Sequence, residues 1–234
     1  MTATGNQVSL RTAALIAGFS ILLMAIAAPF AELYVYPRLV VRDDAVETTV
    51  NILANKSLFV MGILGYLVTF VCDVVAAWAL YVLLRPVNRD VSLLTGCFRL
   101  VYGVVSFVAL LNLVTLLRVL NTAESLPVFG PDQLHAQVKL SLSAFKSNWS
   151  FGILFFGAHL ALLGYLVLRS HYIPRILGLL LVISGLGYLV TTLGPYVLPG
   201  VDLHIANYTF YGELIFMLWL LIRGWKIHDV NTAV

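Results

Sequence analysis

Charged residues are scarce in this sequence, and their scarcity excludes most soluble folds. Only 11% of the 234 residues are charged and 61% are hydrophobic, whereas soluble domains average about 25% charged residues. The mean hydropathy is +0.96. A chain with so few charges could not cover a surface that faces water, so most of it is expected to face lipid. The length leaves room for roughly five to seven membrane-spanning helices and for no soluble domain.

Cysteine is nearly absent as well. The two cysteines, Cys72 and Cys97, lie inside apolar segments, and no CxxC motif is present. A disulfide would require that their two helices touch at the same depth. We therefore interpret both residues as buried thiols that pack like small hydrophobic side chains.

The sequence also lacks the short motifs that mark common active sites. It contains no HExxH, GxSxG or P-loop motif, and it has no second histidine inside a span for bis-histidine haem ligation. The net charge of +3 comes from basic residues at the ends of apolar segments, without interleaved aromatic residues, so no nucleic-acid role is assigned. No cofactor is assigned, and whether the protein is an enzyme stays open.

Long apolar segments dominate what is present. Six of them reach the length of about 20 residues that a spanning helix needs. They are 13–36, 57–84, 92–117, 148–168, 175–197 and 207–224. Backbone groups in lipid must be satisfied locally, and these runs lack the alternation of a barrel strand, so we predict an all-α polytopic bundle that forms a single transmembrane domain over residues 1–234. Residues 25–27 resemble a cleavage site, but the apolar run continues to Tyr36, so the first segment is expected to be retained.

Two connecting segments have helical patterns of their own. In residues 44–55, Asp44 is followed three residues later by Glu47, a spacing that favours a helix start. Residues 132–147 carry apolar side chains at helical spacing, although VKLSLS within them alternates as a strand does. We interpret both as interfacial helices, with ordinary amphipathic connectors as the alternative.

Basic residues also predict the orientation. With six spans both termini lie on one side, which would carry seven basic residues in short segments, against six spread over longer loops on the other side. The density of positive charge therefore favours both termini in the cytoplasm.

Four titratable residues lie well inside the predicted spans and come from four different spans. They are Asp73, Arg99, His159 and Glu213. We call these four residues the Arg99 cluster. A charge at mid-depth that faces lipid costs a few kcal/mol or more, so such side chains are expected to face the interior and to find partners. At 1.5 Å per residue, all four lie roughly 10–17 Å from the cytoplasmic ends of their spans. We therefore predict that they meet at one level.

The charges of the Arg99 cluster balance only if His159 or a carboxylate takes up a proton. Arg99 can pair bidentately with one carboxylate, and the second then needs another partner. One interpretation is a structural cluster that pins the helices, with His159 bonded to the second carboxylate. Another is a site that binds or passes a small ligand or ion. The third is catalysis on a lipid or other hydrophobic substrate, in which His159 and the carboxylates hold a metal or act as acid and base.

We carry the binding or transport interpretation forward, with a membrane enzyme and then a structural or accessory subunit as alternatives. Tyr102 is a further candidate, because it follows Arg99 by three residues and shares its helix face. An outer metal site built from Asp202, His204 and His135 is another alternative.

The fifth span is marked by glycine and proline. Gly178, Gly185 and Gly187 predict close helix contacts. Pro195 and Pro199 are expected to end the span.

Several motifs resemble, in their order, those of one family. They are NILAN (51–55), LYVLLRPVNRD (80–90), FRLVYG (98–103), FFGAHLALLGYLVLRSHYIPR (155–175), LGLLLVISGLGYL (177–189) and GELIFMLWLLIRG (212–224). The chain resembles a family of small polytopic bacterial membrane proteins catalogued only as a domain of unknown function. The resemblance implies the architecture and a bacterial source, and it implies no activity. For an apolar multi-pass chain from a bacterium, we expect a location in the cytoplasmic (inner) membrane. Arg99, His159 and Glu213 lie in these motifs, as does Asn51, which becomes a further candidate site residue. Asp73 lies outside them.

Overall fold

The described part of the protein is built from helices. The structure, a computed structural model, describes residues 8–125, 130–197 and 205–227. Its helical elements are α1 (Leu10–Pro29), a π-helix (Phe30–Val35), α2 (Tyr36–Leu39), α3 (Ala45–Ala54), α4 (Lys56–Leu84), α5 (Arg89–Ser125), α6 (Pro131–Arg169), α7 (Arg175–Val197), α8 (Ala206–Thr209), α9 (Tyr211–Arg223) and a 3₁₀ turn (Gly224–Lys226). Over these residues there is an isolated bridge between Val41 and Asp44 but no strand.

Within the described residues, five helical stretches are long and apolar enough to cross a membrane. They are Leu10–Leu39, Lys56–Leu84, Arg89–Thr122, Pro131–Arg169 and Arg175–Val197. Each is longer than the roughly 20 residues that the hydrocarbon core requires. The prediction of an all-α, multi-pass membrane protein is confirmed.

The sixth predicted span is shorter than expected. α9 has 13 residues, which corresponds to about 20 Å and is less than the hydrocarbon core of about 30 Å. The helix is interrupted between α8 and α9, where the hydroxyl of Ser184 donates a hydrogen bond to the Thr209 carbonyl. A side-chain donor that hydrogen-bonds to a backbone carbonyl in this way interrupts the series of backbone hydrogen bonds in the helix. The predicted segment 207–224 is therefore a broken helical segment.

Two segment boundaries also differ from the prediction. Residues 132–147 are not a separate helix, because α6 runs unbroken over 39 residues and neither glycine nor proline occurs between Asp132 and Phe151. Pro195 lies inside the last turns of α7 rather than ending the helix, and Pro199 lies outside the described residues. Residues 44–55 do contain the helix α3, and its side-chain cap is the predicted Asp44, which accepts a hydrogen bond from the backbone N–H of Glu47 at 2.8 Å.

Replacing Asp44 with Ala is expected to lower the free energy of unfolding by about 1 kcal/mol, because the first turn of α3 loses its capping acceptor. Thermal unfolding of the purified protein in detergent, followed by circular dichroism, measures the change. Asp43→Asn is the matched control: Asp43 has a φ of 60°, which Asn tolerates, and it pairs with the exposed Arg42. Equal losses in the two variants would argue against the cap.

The chain divides into two compact units. The first comprises Met1–Leu22, Cys72–Tyr102 and Ile153–Val234, and the second comprises Leu23–Val71 and Gly103–Gly152. The second unit has a hydrophobic core in which Tyr66, Phe70 and Phe145 pack among aliphatic side chains. The interior of the first unit contains buried charged residues among its buried hydrophobic side chains. It is this unit that positions all four residues of the Arg99 cluster.

Within the first unit, α6 and α7 touch through their backbones. A Cβ atom added at Gly164 would lie 2.6 Å from the carbonyl oxygen of Gly178, and one added at Gly185 would lie 2.6 Å from backbone atoms of α6. Gly187 lies against the side chain of Thr209 in α8. Glycine permits such an approach because it has no side chain. The predicted close contacts of the fifth span are confirmed.

Candidate binding site around Arg99

Arg99 of α5 lies at the centre of the Arg99 cluster and is 1% exposed. Its Nε donates to Oδ1 of Asp73 at 3.0 Å, and its Nη2 lies 3.0 Å from the same oxygen. Its Nη1 donates to Oε1 of Glu213 at 2.8 Å. A single guanidinium therefore binds one carboxylate from α4 and another from α9.

His159 of α6 bonds to Arg99 and to the backbone. Its Nδ1 lies 2.9 Å from the carbonyl oxygen of Thr95, and a carbonyl can only accept, so Nδ1 carries the proton. Its Nε2 lies 3.1 Å from Nη1 of Arg99, and a guanidinium can only donate, so Nε2 accepts. The two bonds together require the neutral imidazole with the proton on Nδ1.

The cluster has a surplus of one negative charge. With His159 neutral, one guanidinium faces two carboxylates. Among the described residues, Oδ2 of Asp73 is buried without a hydrogen-bond partner, whereas the side chain of Glu213 is 17% exposed. A surplus charge held away from water is costly unless a counter-charge joins it. The arrangement therefore favours uptake of a proton or a cation, and Glu213 is the more accessible carboxylate.

Aromatic rings line one side of the cluster. The ring of Phe156 stacks on His159 with centroids 6.0 Å apart, and Cζ of Arg99 lies 5.5 Å from the same ring. The rings of Tyr102 and Tyr188 both pack against Phe156, with centroid distances of 4.9 Å and 5.4 Å respectively. These rings exclude water from that side, and hydrogen bonds between charged groups are stronger in such surroundings.

Gly212 explains how Glu213 reaches the cluster. A Cβ atom at Gly212 would lie 2.6 Å from the carbonyl oxygen of Leu180 in α7. Only a residue without a side chain allows α9 to approach α7 this closely. Near the start of α9, Gly212 therefore makes the close packing contact, and the contact positions the charged side chain of Glu213, the next residue.

The structure brings the four predicted residues together, but their bonds differ from the expectation. In the structural interpretation, Arg99 pairs with one carboxylate and His159 with the other. Instead Arg99 binds both carboxylates, and His159 bonds to Arg99 and to a backbone carbonyl. The parts of the chain that the structure describes contain no group of three His, Cys, Asp or Glu side chains placed to hold a metal. A ligand-binding role for these residues stays a prediction.

The other candidates lie elsewhere. Asn51 belongs to α3 in the second unit, where its carbonyl oxygen accepts a hydrogen bond from the backbone N–H of Asn55 at 3.1 Å. Asp202 and His204, two of the three residues of the outer metal alternative, lie outside the described residues. Both cysteines are free. Cys72 is buried as expected, but Cys97 is exposed.

Sequence reasoning missed a second polar group. Glu32 forms an ion pair with Lys146 and accepts a hydrogen bond from the hydroxyl of Tyr66. The signal was available, because Glu32 is an acidic residue inside the first predicted span. Lys146 lies in the predicted connecting segment 132–147 and outside the predicted spans, so the sequence does not indicate it as a partner for Glu32. The Thr95 carbonyl was also missed, and a backbone acceptor leaves no trace in a sequence.

Comparison with known proteins agrees with the resemblance seen in the motifs. Residues 16–224 match the family described as Domain of unknown function (DUF4386). An "Uncharacterized protein" of Archaeoglobus fulgidus is 35% identical over 181 residues, which are 77% of this chain and 94% of that protein. No solved structure matches the chain. With nearly its whole length matched, the chain belongs to the DUF4386 family.

Proposed function

We propose that this protein binds a small cation, a proton or a monovalent metal ion, at the Arg99 cluster and passes it through the membrane. One observation carries the proposal: two carboxylates share a single guanidinium while His159 is neutral. A cluster with a surplus negative charge in a multi-pass membrane protein is suited to accept one positive charge and to release it.

Glu213 is the residue that we assign to cation binding. Asp73 is held by two nitrogens of Arg99 and is fully buried. Glu213 has one hydrogen bond to Arg99 and a partly exposed side chain. A carboxylate with a single partner can exchange that partner for a cation at lower cost than one held by two. Asp73 and Arg99 then act as the fixed counter-charges of the site.

A purely structural cluster is the competing interpretation. The two interpretations differ in whether the surplus negative charge of the cluster is needed. A structural cluster is most stable when its charges balance. Removal of the surplus charge should then leave the protein unharmed, and no cation movement depends on it. A binding site loses its function under the same change.

Glu213→Gln is expected to abolish cation movement and to change the free energy of unfolding by less than about 1 kcal/mol. The Gln carbonyl still accepts from Arg99, and the remaining Asp73–Arg99 pair is neutral. Proteoliposomes containing a pH-sensitive dye measure proton entry under an imposed pH gradient, with valinomycin and K⁺ clamping the membrane potential. Dyes selective for Na⁺ and K⁺ measure the metal ions. Thermal unfolding in detergent measures stability.

Glu47→Gln is the matched control, because Glu47 is an exposed carboxylate of α3. It should leave both flux and stability unchanged. The proposal fails if the native protein moves none of the three cations, or if Glu213→Gln moves them at the native rate. A large loss of stability in Glu213→Gln would contradict the surplus negative charge on which the proposal rests.

The proposal includes an orientation. Basic residues lie at two short connections: Arg85 follows α4 and Arg89 begins α5, while Arg169 ends α6 and Arg175 begins α7. This density supports a cytoplasmic location for these connections, and we propose that the N-terminal end of α1 lies on the same side of a bacterial inner membrane.

A further inference from the structure

We infer that Glu32, Tyr36 and Trp149 form a binding site for a small organic ammonium ion, and that the side chain of Lys146 occupies this site within the same chain. All four residues belong to the second unit. The inference is independent of the function proposed for the Arg99 cluster. We call the binding site formed by Glu32, Tyr36 and Trp149 the ammonium cage.

The position of the Lys146 ammonium defines the cage. Its Nζ lies 4.1 Å from the ring centroid of Tyr36 and 5.4 Å from that of Trp149, and it forms an ion pair with Glu32. Both ring distances are inside the limit of about 6 Å for cation–π attraction. Aromatic faces combined with a carboxylate are the surroundings that proteins use to recognise ammonium ligands.

The walls of the cage are held by groups other than Lys146. The hydroxyl of Tyr66 donates to the second carboxylate oxygen of Glu32. The ring of Tyr66 packs edge-on against Trp149, with centroids 5.6 Å apart, and against Phe145 at 5.0 Å. Tyr66 and Phe145 belong to the buried core of this unit. The carboxylate and the indole are therefore fixed from behind, and the cage keeps its shape when the ammonium leaves.

The backbone around Glu32 is a second sign of function. Residues Phe30–Val35 form a π-helix directly after Pro29. π-helical turns are rare, and they occur frequently at functional sites. The six-residue turn moves the side chains that follow it relative to a regular α-helix, and it carries Glu32 and leads directly into Tyr36.

The cage is open enough to admit a ligand. The side chains of Lys146 and Glu32 are 35% and 30% exposed. A cavity of about 220 Å³ adjoins Lys146, and Tyr36 and the apolar Val138 and Leu142 also line it. The lysine stem has four rotatable carbons, so its head can swing away. A small amine can then place its ammonium in the cage and its alkyl groups against Val138 and Leu142.

The ligand class follows from the donors. A single carboxylate supplies too few oxygen ligands for Ca²⁺, which takes six to eight, or for octahedral Mg²⁺. Ring faces add no oxygen donors, but they attract alkylated ammonium groups well. A primary or quaternary organic ammonium ion satisfies both parts of the cage.

Lys146→Ala tests the inference with propylammonium and tetramethylammonium as probes. Once the tethered occupant is removed, saturable binding is expected, seen as a change in Trp149 fluorescence and as a rise in the thermal unfolding midpoint with probe concentration. The native protein should bind about tenfold more weakly or worse, because the tethered lysine competes at high effective concentration. Lys146→Ala/Trp149→Phe identifies the part of the fluorescence signal that Trp149 contributes.

Two further variants make the result decisive. Lys146→Ala/Glu32→Gln should lose binding, since the carboxylate is gone. Lys139→Ala removes a lysine that lines the same cavity but is not part of the cage, and it should behave like the native protein. If Lys146→Ala is poorly folded, Lys146→Met serves in its place, because it keeps most of the stem. No saturable response in either Lys146 variant, equal affinity in the native protein, or undiminished binding in the Glu32 double variant would each overturn the inference.

Discussion

Arg99→Met is expected to prevent stable folding. The substitution leaves Asp73 and Glu213 facing each other without a cation, and Asp73 is fully buried. Removal of one partner from a buried ion pair costs about 3–5 kcal/mol. The total stability of a protein is commonly about 5–15 kcal/mol, so this loss is a large part of it. The yield of monodisperse protein in detergent and the thermal unfolding midpoint measure the effect.

A compensated variant separates charge from packing. Arg99→Met combined with Asp73→Asn and Glu213→Gln removes both carboxylate charges, and it should recover much of the lost stability. Arg99→Lys keeps the positive charge but not the planar fork that reaches Asp73, Glu213 and His159 together, so it should fall between the native protein and Arg99→Met. Normal stability of Arg99→Met, or no recovery in the triple variant, would contradict the central role of Arg99.

Arg99→Met and Glu213→Gln therefore change the net charge of the Arg99 cluster in opposite directions. The first leaves two negative charges without a cation. The second removes the surplus negative charge and leaves a balanced pair. If the cluster serves only to hold the helices together, the second variant should be at least as good as the native protein in every measurement. If the surplus charge is there to bind a cation, stability and cation movement should separate in this variant alone.

Membership of the Arg99 cluster was predictable from the sequence, because charged side chains inside a lipid-facing chain must meet one another. The bonds were not predictable. A shift of one helix along its axis by a single turn moves a side chain by about 5.4 Å, which is more than the length of a hydrogen bond. The tautomer of His159 depends on the Thr95 carbonyl, and no side chain records the position of that acceptor. Glu32 was overlooked although the same rule applied to it.

The same difference applies to the helices: their apolar length is predictable from the sequence, whereas contacts between helices are not. Apolar length alone predicted the five long spans. The break before α9 depends on Ser184, which lies in another helix and takes the Thr209 carbonyl. That contact requires Gly212 to let α9 come close to α7. Apolar length carries no information about such a contact, so the sixth segment was predicted as an ordinary span.

Gly164→Ala is expected to destabilise the first unit by about 1–3 kcal/mol, the usual effect of overpacking, and Gly164→Val by more. The new Cβ atom would lie 2.6 Å from the carbonyl oxygen of Gly178 and 2.7 Å from the backbone nitrogen of Val182. Backbone atoms cannot swing aside as a flexible side chain can, so α6 and α7 must separate. His159 is five residues before Gly164 on α6, so the same separation disturbs its bond to Arg99. Thermal unfolding in detergent measures the loss.

Gly96→Ala is the control for Gly164→Ala, because it adds the same methyl group to a helical glycine of the same unit. The nearest atoms to a Cβ atom at Gly96 are the Ala77 carbonyl oxygen at 3.6 Å and Cβ of Tyr81 at 3.7 Å, which is ordinary van der Waals contact. Alanine also has the better helix propensity, by about 1 kcal/mol, so this variant should be neutral or slightly more stable. If both variants lose stability equally, flexibility at glycine matters more than close packing. A loss confined to Gly164 shows that α6 and α7 depend on direct backbone contact to hold His159 within reach of Arg99.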